Sequence, residues 1–249
     1  MRASARIEVA RRGGRDVLVD ARSEPPLSVR RTLERILLVG SAAGPVGGDV
    51  LDLDVVVGTG ARAAIGTAAA TLVWPGRPCH DGIGARPSRT TTRISVGPDG
   101  HLDWRPEPTV SVAGSRHVAR AIVDLAAGAA ATIVEEVSLG RSGEPSGHID
   151  VELRVARDGR PLVHHTEHLG PDVPGWGGAV HVGAARHLLT AVVVGSPAGA
   201  PHVRIGPADG LPPDTAVATL PVAPDVTVTL AVAPDRPTAH RSVWANRPE

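Results

Sequence analysis

Apolar side chains recur at every second position over long stretches of this chain, and that period limits what it can fold into. Leu51, Leu53, Val55 and Val57 alternate with Asp52, Asp54 and Val56. Ile149, Val151, Leu153 and Val155 alternate with Asp150, Glu152 and Arg154, and Val226, Val228, Leu230 and Val232 with Thr227, Thr229 and Ala231. A spacing of two places each apolar set on one face of a pleated strand, a surface that suits β-branched side chains. Rougher runs of the same kind fall at residues 7–9, 17–19, 36–39, 93–96, 118–125 and 188–194. Turn signals separate them: Gly13-Gly14, Pro98-Asp99-Gly100, Asp158-Gly159 and Pro207 to Gly210. Gly, Pro and Asp supply the dihedrals and local hydrogen bonds of tight turns. Many short strands with turns at this density predict a mainly β fold.

Helix is expected in two places only. Residues 126–134 are alanine-rich and helical by propensity, although they run into Glu135-Glu136 without a cap, and residues 238–245 suit a short C-terminal helix. The Pro-rich approach to Trp176-Gly177-Gly178 reads as an irregular excursion. No repeat of fixed period and no break in composition calls for a second domain, so residues 1–249 are read as one. The core must come from Val, Leu, Ile and Ala, because four tryptophans are the sole aromatics.

Acidic and basic side chains balance at 26 each, which gives no support for broad binding to nucleic acid or an anionic membrane surface. Cys79 is the one cysteine, so no intrachain disulfide forms and a reducing compartment is expected. The Arg-rich N-terminal segment lacks the apolar stretch of a secretory signal, and no apolar run reaches the roughly 18 residues of a spanning helix. A cytoplasmic location is the expectation.

Four constellations carry possible chemistry. Gly47-Gly48-Asp49 precedes the alternating run at Leu51; it either presents a carboxylate at a strand start or forms a plain β-turn. Cys79-His80-Asp81 sets a thiol, an imidazole and a carboxylate side by side, all of which bind nickel-like metals, yet adjacent side chains rarely converge on one ion. An exposed loop with an incidental cysteine is the competing reading. His164-His165-Thr166-Glu167-His168 is the densest histidine cluster; on a strand His165 and Glu167 share one face, while His164 and His168 share the other. It reads as a metal or proton-transfer site or as an exposed polar strand. Gly140-Arg141-Ser142-Gly143-Glu144 follows Glu135-Glu136 and offers an ion pair at a bend. No Ser/His/Asp or Cys/His set has the local context of a known nucleophile.

Taken in order, several blocks resemble the UreD/UreH family of urease accessory proteins. They are residues 16–23 leading to Pro26-Leu27, the apolar run and Gly-Gly-Asp at 38–49, and the Thr/Ala-rich segment 67–74. Leu102-Asp103-Trp104-Arg105-Pro106 and the Glu135-to-Arg141 block follow, and then Asp158 to Leu162. The matching blocks cover about residues 16–170; the C-terminal third matches poorly.

The resemblance implies stacked β-sheets in a β-helix-like arrangement with few short helices. It also implies a non-catalytic chaperone that binds no cofactor tightly and passes nickel in transit through an internal path. The implied partners are the helical F-type accessory protein, the G-type GTPase and the urease apoenzyme. Asp49, Thr71, Glu135 and the region of His165 match positions that the family associates with the path. Departures include Leu72, where relatives more often carry Lys, and His165, where they usually carry Glu. Two other functions stay open from the residues alone: a β-rich interaction module without a metal role, and a hydrolase built on the histidine cluster.

Overall fold

A computed structural model of the chain describes residues 1–78, 85–178 and 181–244. In chain order the first strands are β1 (Arg2–Arg12), β2 (Arg15–Ser23), β3 (Leu27–Arg31), β4 (Ile36–Gly40), β5 (Val50–Val57) and β6 (Arg62–Thr67). Then come β7 (Thr71–Val73), β8 (Ser88–Val96), β9 (His101–Trp104), β10 (Thr109–Ser111), β11 (Arg116–Leu125) and β12 (Ala130–Ser138). The remainder are β13 (His148–Arg157), β14 (Arg160–Leu169), β15 (His187–Val194), β16 (His202–Ile205), β17 (Ala216–Ala223), β18 (Val226–Ala233) and the helix α1 (Arg236–Trp244).

Two sheets face each other. The first runs β14-β13-β11-β8-β5-β1-β2, and the second runs β16-β17-β18-β15-β12-β9-β6-β4-β3, with β7 and β10 attached beside β12. Between β4 and β13 the chain crosses back and forth, laying β5, β8, β11 and β13 in parallel on the first sheet. The intervening strands β6, β9 and β12 lie in parallel on the second. This coiling is the expected β-helix-like arrangement. Antiparallel β14, β15, β17 and β18 extend the sheets beyond it.

The period of two explains the layering. Ile7, Val55, Ile94, Val123 and Leu153 point from the first sheet into a shared core, against Ile65, Leu102, Ile133 and Val192 of the second. Their alternates face outward, so β5 reads half-buried, buried, half-buried, buried along its first four residues. Burial of such side chains contributes about 1.5–3 kcal/mol each. A second cluster lies on the other face of the second sheet, where Leu189, Ala191, Val217 and Ala231 pack under Ala239 of α1.

The expected C-terminal helix is present as α1, while the alanine-rich segment is not helical. Gly128 turns sharply in the left-handed region (φ 71°), and the chain continues as β12. There Ala131 and Ile133 enter the core and pair in parallel with β9. Alanine's helix preference of a few tenths of a kcal/mol per residue yields to this tertiary burial. Among the described residues no helix is long and apolar enough to cross a membrane.

Candidate functional site: a cavity between the sheets

The core is not apolar throughout. Where β5, β8 and β11 face β6, β7, β10 and β12, a cavity of about 350 Å³ opens between the sheets. Thr90, Thr92 and His117 line it from the first sheet; Thr71, Trp104, Glu107 and Glu135 line it from the second. Its rim includes Pro26, Gly44 and Pro45. Leu38, Leu53, Trp104 and Ala121 of the shared core line it as well, and the polar side chains buried among them are costly unless they are satisfied by protein or solvent.

Glu135 is the most perturbed group on the cavity wall. Protein encloses it, yet the side chain keeps some accessible surface, as a group facing an internal space must. Burial pushes its carboxyl up to about 7. The Trp104 indole N–H, which donates to Oε1 at 3.1 Å, offsets part of that shift, while the neighbouring Glu136 charge adds to it. Near neutral pH this carboxyl is poised between its two forms. On the first-sheet wall, burial lowers His117 to about 4, with a hydrogen bond to the Ser88 backbone opposing the shift, so the ring is neutral near pH 7.

Asp49 lies beside Gly44 of the rim, off the cavity wall, with both oxygens engaged. Oδ1 accepts from the α-ammonium of Met1 at 2.7 Å, and Oδ2 accepts from the Val46 N–H at 2.8 Å. The motif around it has clear local reasons. A Cβ on Gly47 would meet Gly76 Cα at 2.6 Å and the Arg86 carbonyl oxygen at 2.8 Å, and Gly48 adopts φ 88°. Gly47, Gly48 and Asp49 thus make a turn clamped to the chain after β7; it follows the rim residues Gly44 and Pro45, and none of the three lines the cavity itself. Thr71 lines the cavity itself, held by its N–H donating to the Pro108 carbonyl at 2.9 Å.

The histidine cluster splits as the strand period requires. His164 and His168 point outward, to Glu152 at 3.2 Å and Asp150 at 2.8 Å. His165 and Glu167 face the other way, where the Glu167 carboxylate lies 3.3 Å from His165 Nε2 and 2.9 Å from His181 Nε2. His165 is not on the cavity wall. Cys79 and His80 lie outside the described residues. Among the described residues no three His, Cys, Asp or Glu side chains form a closed metal-ligand set.

The Gly140-to-Glu144 bend is a structural latch. Gly140 takes φ 80°, and a Cβ there would meet the Glu144 and Pro145 carbonyl oxygens. Arg141 pairs with Glu144 at 2.7 Å and stacks on Trp74, with the guanidinium carbon 5.1 Å from the ring centre. The pairing holds the Glu144 carboxyl down at about 2.

Sequence reading passed over His117 and Glu107. His117 falls two residues before Ala119 in the inward set Ala119, Ala121, Val123 and Leu125, and counting back by two along β11 would have found it. Glu107 sits in a Pro-flanked connection with no period to betray it.

Two large β-sheets that enclose a cavity lined from both sides, with one α-helix among the described residues, define a mainly β scaffold protein. Sequence comparison narrows the class. The sequence model of the UreD urease accessory protein family matches residues 1–245. A urease accessory protein UreD from Streptomyces coelicolor is 38% identical, across 94% of this chain and 91% of its own length. One from Parafrankia sp. is 35% identical, across 94% and 84%. A urease accessory protein UreD 1 from Saccharopolyspora erythraea is 34% identical, across 98% and 100%. The chain belongs to the UreD family of urease accessory proteins.

Proposed function

We propose that this chain acts in urease maturation as a scaffold that passes nickel, as cargo, through the cavity between its sheets toward the urease apoenzyme. It does so in a complex with the F-type accessory protein and the G-type GTPase. The observation that carries this reading is Glu135, a carboxyl enclosed by protein and raised to about 7 while facing a space whose largely apolar wall also carries threonine hydroxyls and the His117 imidazole. A wall of this kind suits a borderline divalent ion, which accepts both carboxylate oxygen and imidazole nitrogen. Few protein ligands hold the ion weakly enough to let it leave, and its entry displaces the Glu135 proton. Glu135 and Thr71 act on the wall; Asp49, held by the Met1 α-ammonium and the Val46 N–H, fixes the turn next to the rim residue Gly44.

The test is co-expression of urease structural subunits with the accessory set, using this chain in wild-type or Glu135→Gln form. The variant is expected to co-purify with its partners while the nickel content and activity of urease fall at least several-fold. Wild-type nickel content in urease matured by the variant would refute the role given to Glu135.

A further inference from the structure

The outer face of the first sheet carries its charges in rows, and one row is left open. Across β1, β5, β8, β11 and β13 the register sets Ser4, Asp52, Thr91, Arg120 and Glu152 side by side. Two residues further on it does the same for Arg6, Asp54, Arg93, Ile122 and Arg154. Arginines in these rows find acids: Arg93 pairs with Asp52 at 3.2 Å, Arg120 with Glu152 at 2.8 Å and Arg6 with Glu8 at 2.8 Å. The first row reads Arg2, Val50, Arg89, Val118 and Asp150, and His168 lies 2.8 Å from its one acid. Valine separates the two arginines, and neither side chain has an ion pair or hydrogen bond among the described residues. Arg2, Arg89 and Arg120 border one open hollow of about 400 Å³, together with Val50, Val118 and Thr91. The Glu152 carboxylate that meets Arg120 is shared with Arg154 and His164, so Arg120 is only partly neutralised.

We propose that this hollow is a docking site for a short acidic segment of a protein partner, whose carboxylates take the place that acids of this chain fill in the neighbouring rows. The planar fork of donors on arginine matches the two oxygens of a carboxylate. Val50 and Val118 offer an apolar floor to the stems of the incoming side chains. A single exposed ion pair contributes little; these three arginines act together because they border the same hollow. The row pattern also chooses among polyanions. A nucleic-acid strand or an anionic membrane would extend over the next rows and meet Asp52, Asp54 and Glu152, on a chain whose charges balance overall. A short acidic segment meets only the open row. The hollow lies on the outer face of the sheet, so the inference stands apart from the reading of the internal cavity.

Fluorescence anisotropy with the full chain tests this, using a labelled short peptide in which glutamate alternates with glycine and its glutamine counterpart. The glutamate peptide is expected to bind, more weakly as salt rises, and the glutamine peptide is not. Replacing both open arginines, Arg2→Gln with Arg89→Gln, is expected to weaken binding by about tenfold or more. Arg31→Gln removes the same charge from an exposed position of β3 on the other sheet, and is expected to change binding by less than about twofold. Circular dichroism verifies the fold of each variant, and Arg89→Gln alone serves if the double variant does not fold. Equal binding of the two peptides, no loss in the folded Arg2 and Arg89 variants, or an equal loss in the Arg31 variant overturns the inference. Inorganic phosphate at matched ionic strength is the rival ligand. If phosphate binds in an Arg89-dependent way and the glutamate peptide does not, the hollow is a small-anion site and the docking proposal falls.

Discussion

Glu135 and Glu136 are the same residue type at adjacent positions of β12, and the two faces of that strand treat them in opposite ways. Glu135 faces the cavity with a single donor, the Trp104 indole, and burial raises it to about 7. Glu136 faces outward under α1. Burial alone would raise it too, but donors from His187 at 2.9 Å, Arg236 at 2.9 Å and His240 at 3.0 Å outweigh that effect and hold it below the usual carboxylate range. Arg236 also reaches Glu107 on the cavity wall, at 2.7 Å. One carboxylate is spent on fastening the C-terminal helix; the other has a single donor on the cavity wall. Desolvation is shared, so the number of donors decides which is structural and which is available for chemistry.

The largest effect expected from breaking this contrast is at Glu136. Glu136→Ala strands two histidines and an arginine around a site that is 2% exposed, and removing one partner of such a buried cluster costs about 3–5 kcal/mol. Denaturant unfolding should show that loss, together with early release of α1; a loss below about 1 kcal/mol would mean the cluster does not hold the helix.

Glu135→Gln should do the reverse. The folded state keeps its proton up to about 7, while the unfolded chain releases it near 4.5. The native form therefore binds more protons in between, and wild-type stability falls as pH rises through that window. The Gln variant escapes this fall, gaining up to about 3 kcal/mol at pH 8 and almost nothing at pH 4.5. Unfolding curves at the two pH values check it.

His117 should mirror Glu135 on the acid side. Its folded form takes up a proton only near 4, against 6.5 in the unfolded chain. Stability is therefore lost as pH drops from 6.5 to 4, and His117→Gln should flatten that decline by a comparable or slightly smaller amount. Thermal unfolding across that range measures it. The smallest effect is expected on the outer face of β14. His164, paired with Glu152 in the open, should change stability by less than about 0.5 kcal/mol when replaced by Ala.

The strands were legible because each buries one face, and Leu51 to Val57 and Ile149 to Val155 carry that fact in their own spacing. β12 was not. Both of its faces are covered, so Ile133, Val134 and Val137 form no clean alternation, and its alanines resemble a helix. Family resemblance singled out Asp49, Thr71, Glu135 and the region of His165; Thr71 and Glu135 line the cavity, and Asp49 and His165 do not. The engagement of Asp49 by the α-ammonium and the Val46 N–H, and of Glu136 by residues about 100 positions away, depends on tertiary placement that spacing does not encode. His117 was within reach of the period of two, but a lone imidazole beginning an inward alanine series gives a weak signal until the opposite wall is known.

The central claim is that a cation can approach a carboxyl held near neutrality inside the fold. A pH titration of the Glu135 side-chain carboxyl by carbon NMR, assigned through Glu135→Gln and run with and without nickel, addresses it directly. The account predicts a midpoint near 7 in the metal-free chain that moves well to the acid side when nickel is added. A midpoint near 4.5 that nickel leaves in place would contradict it.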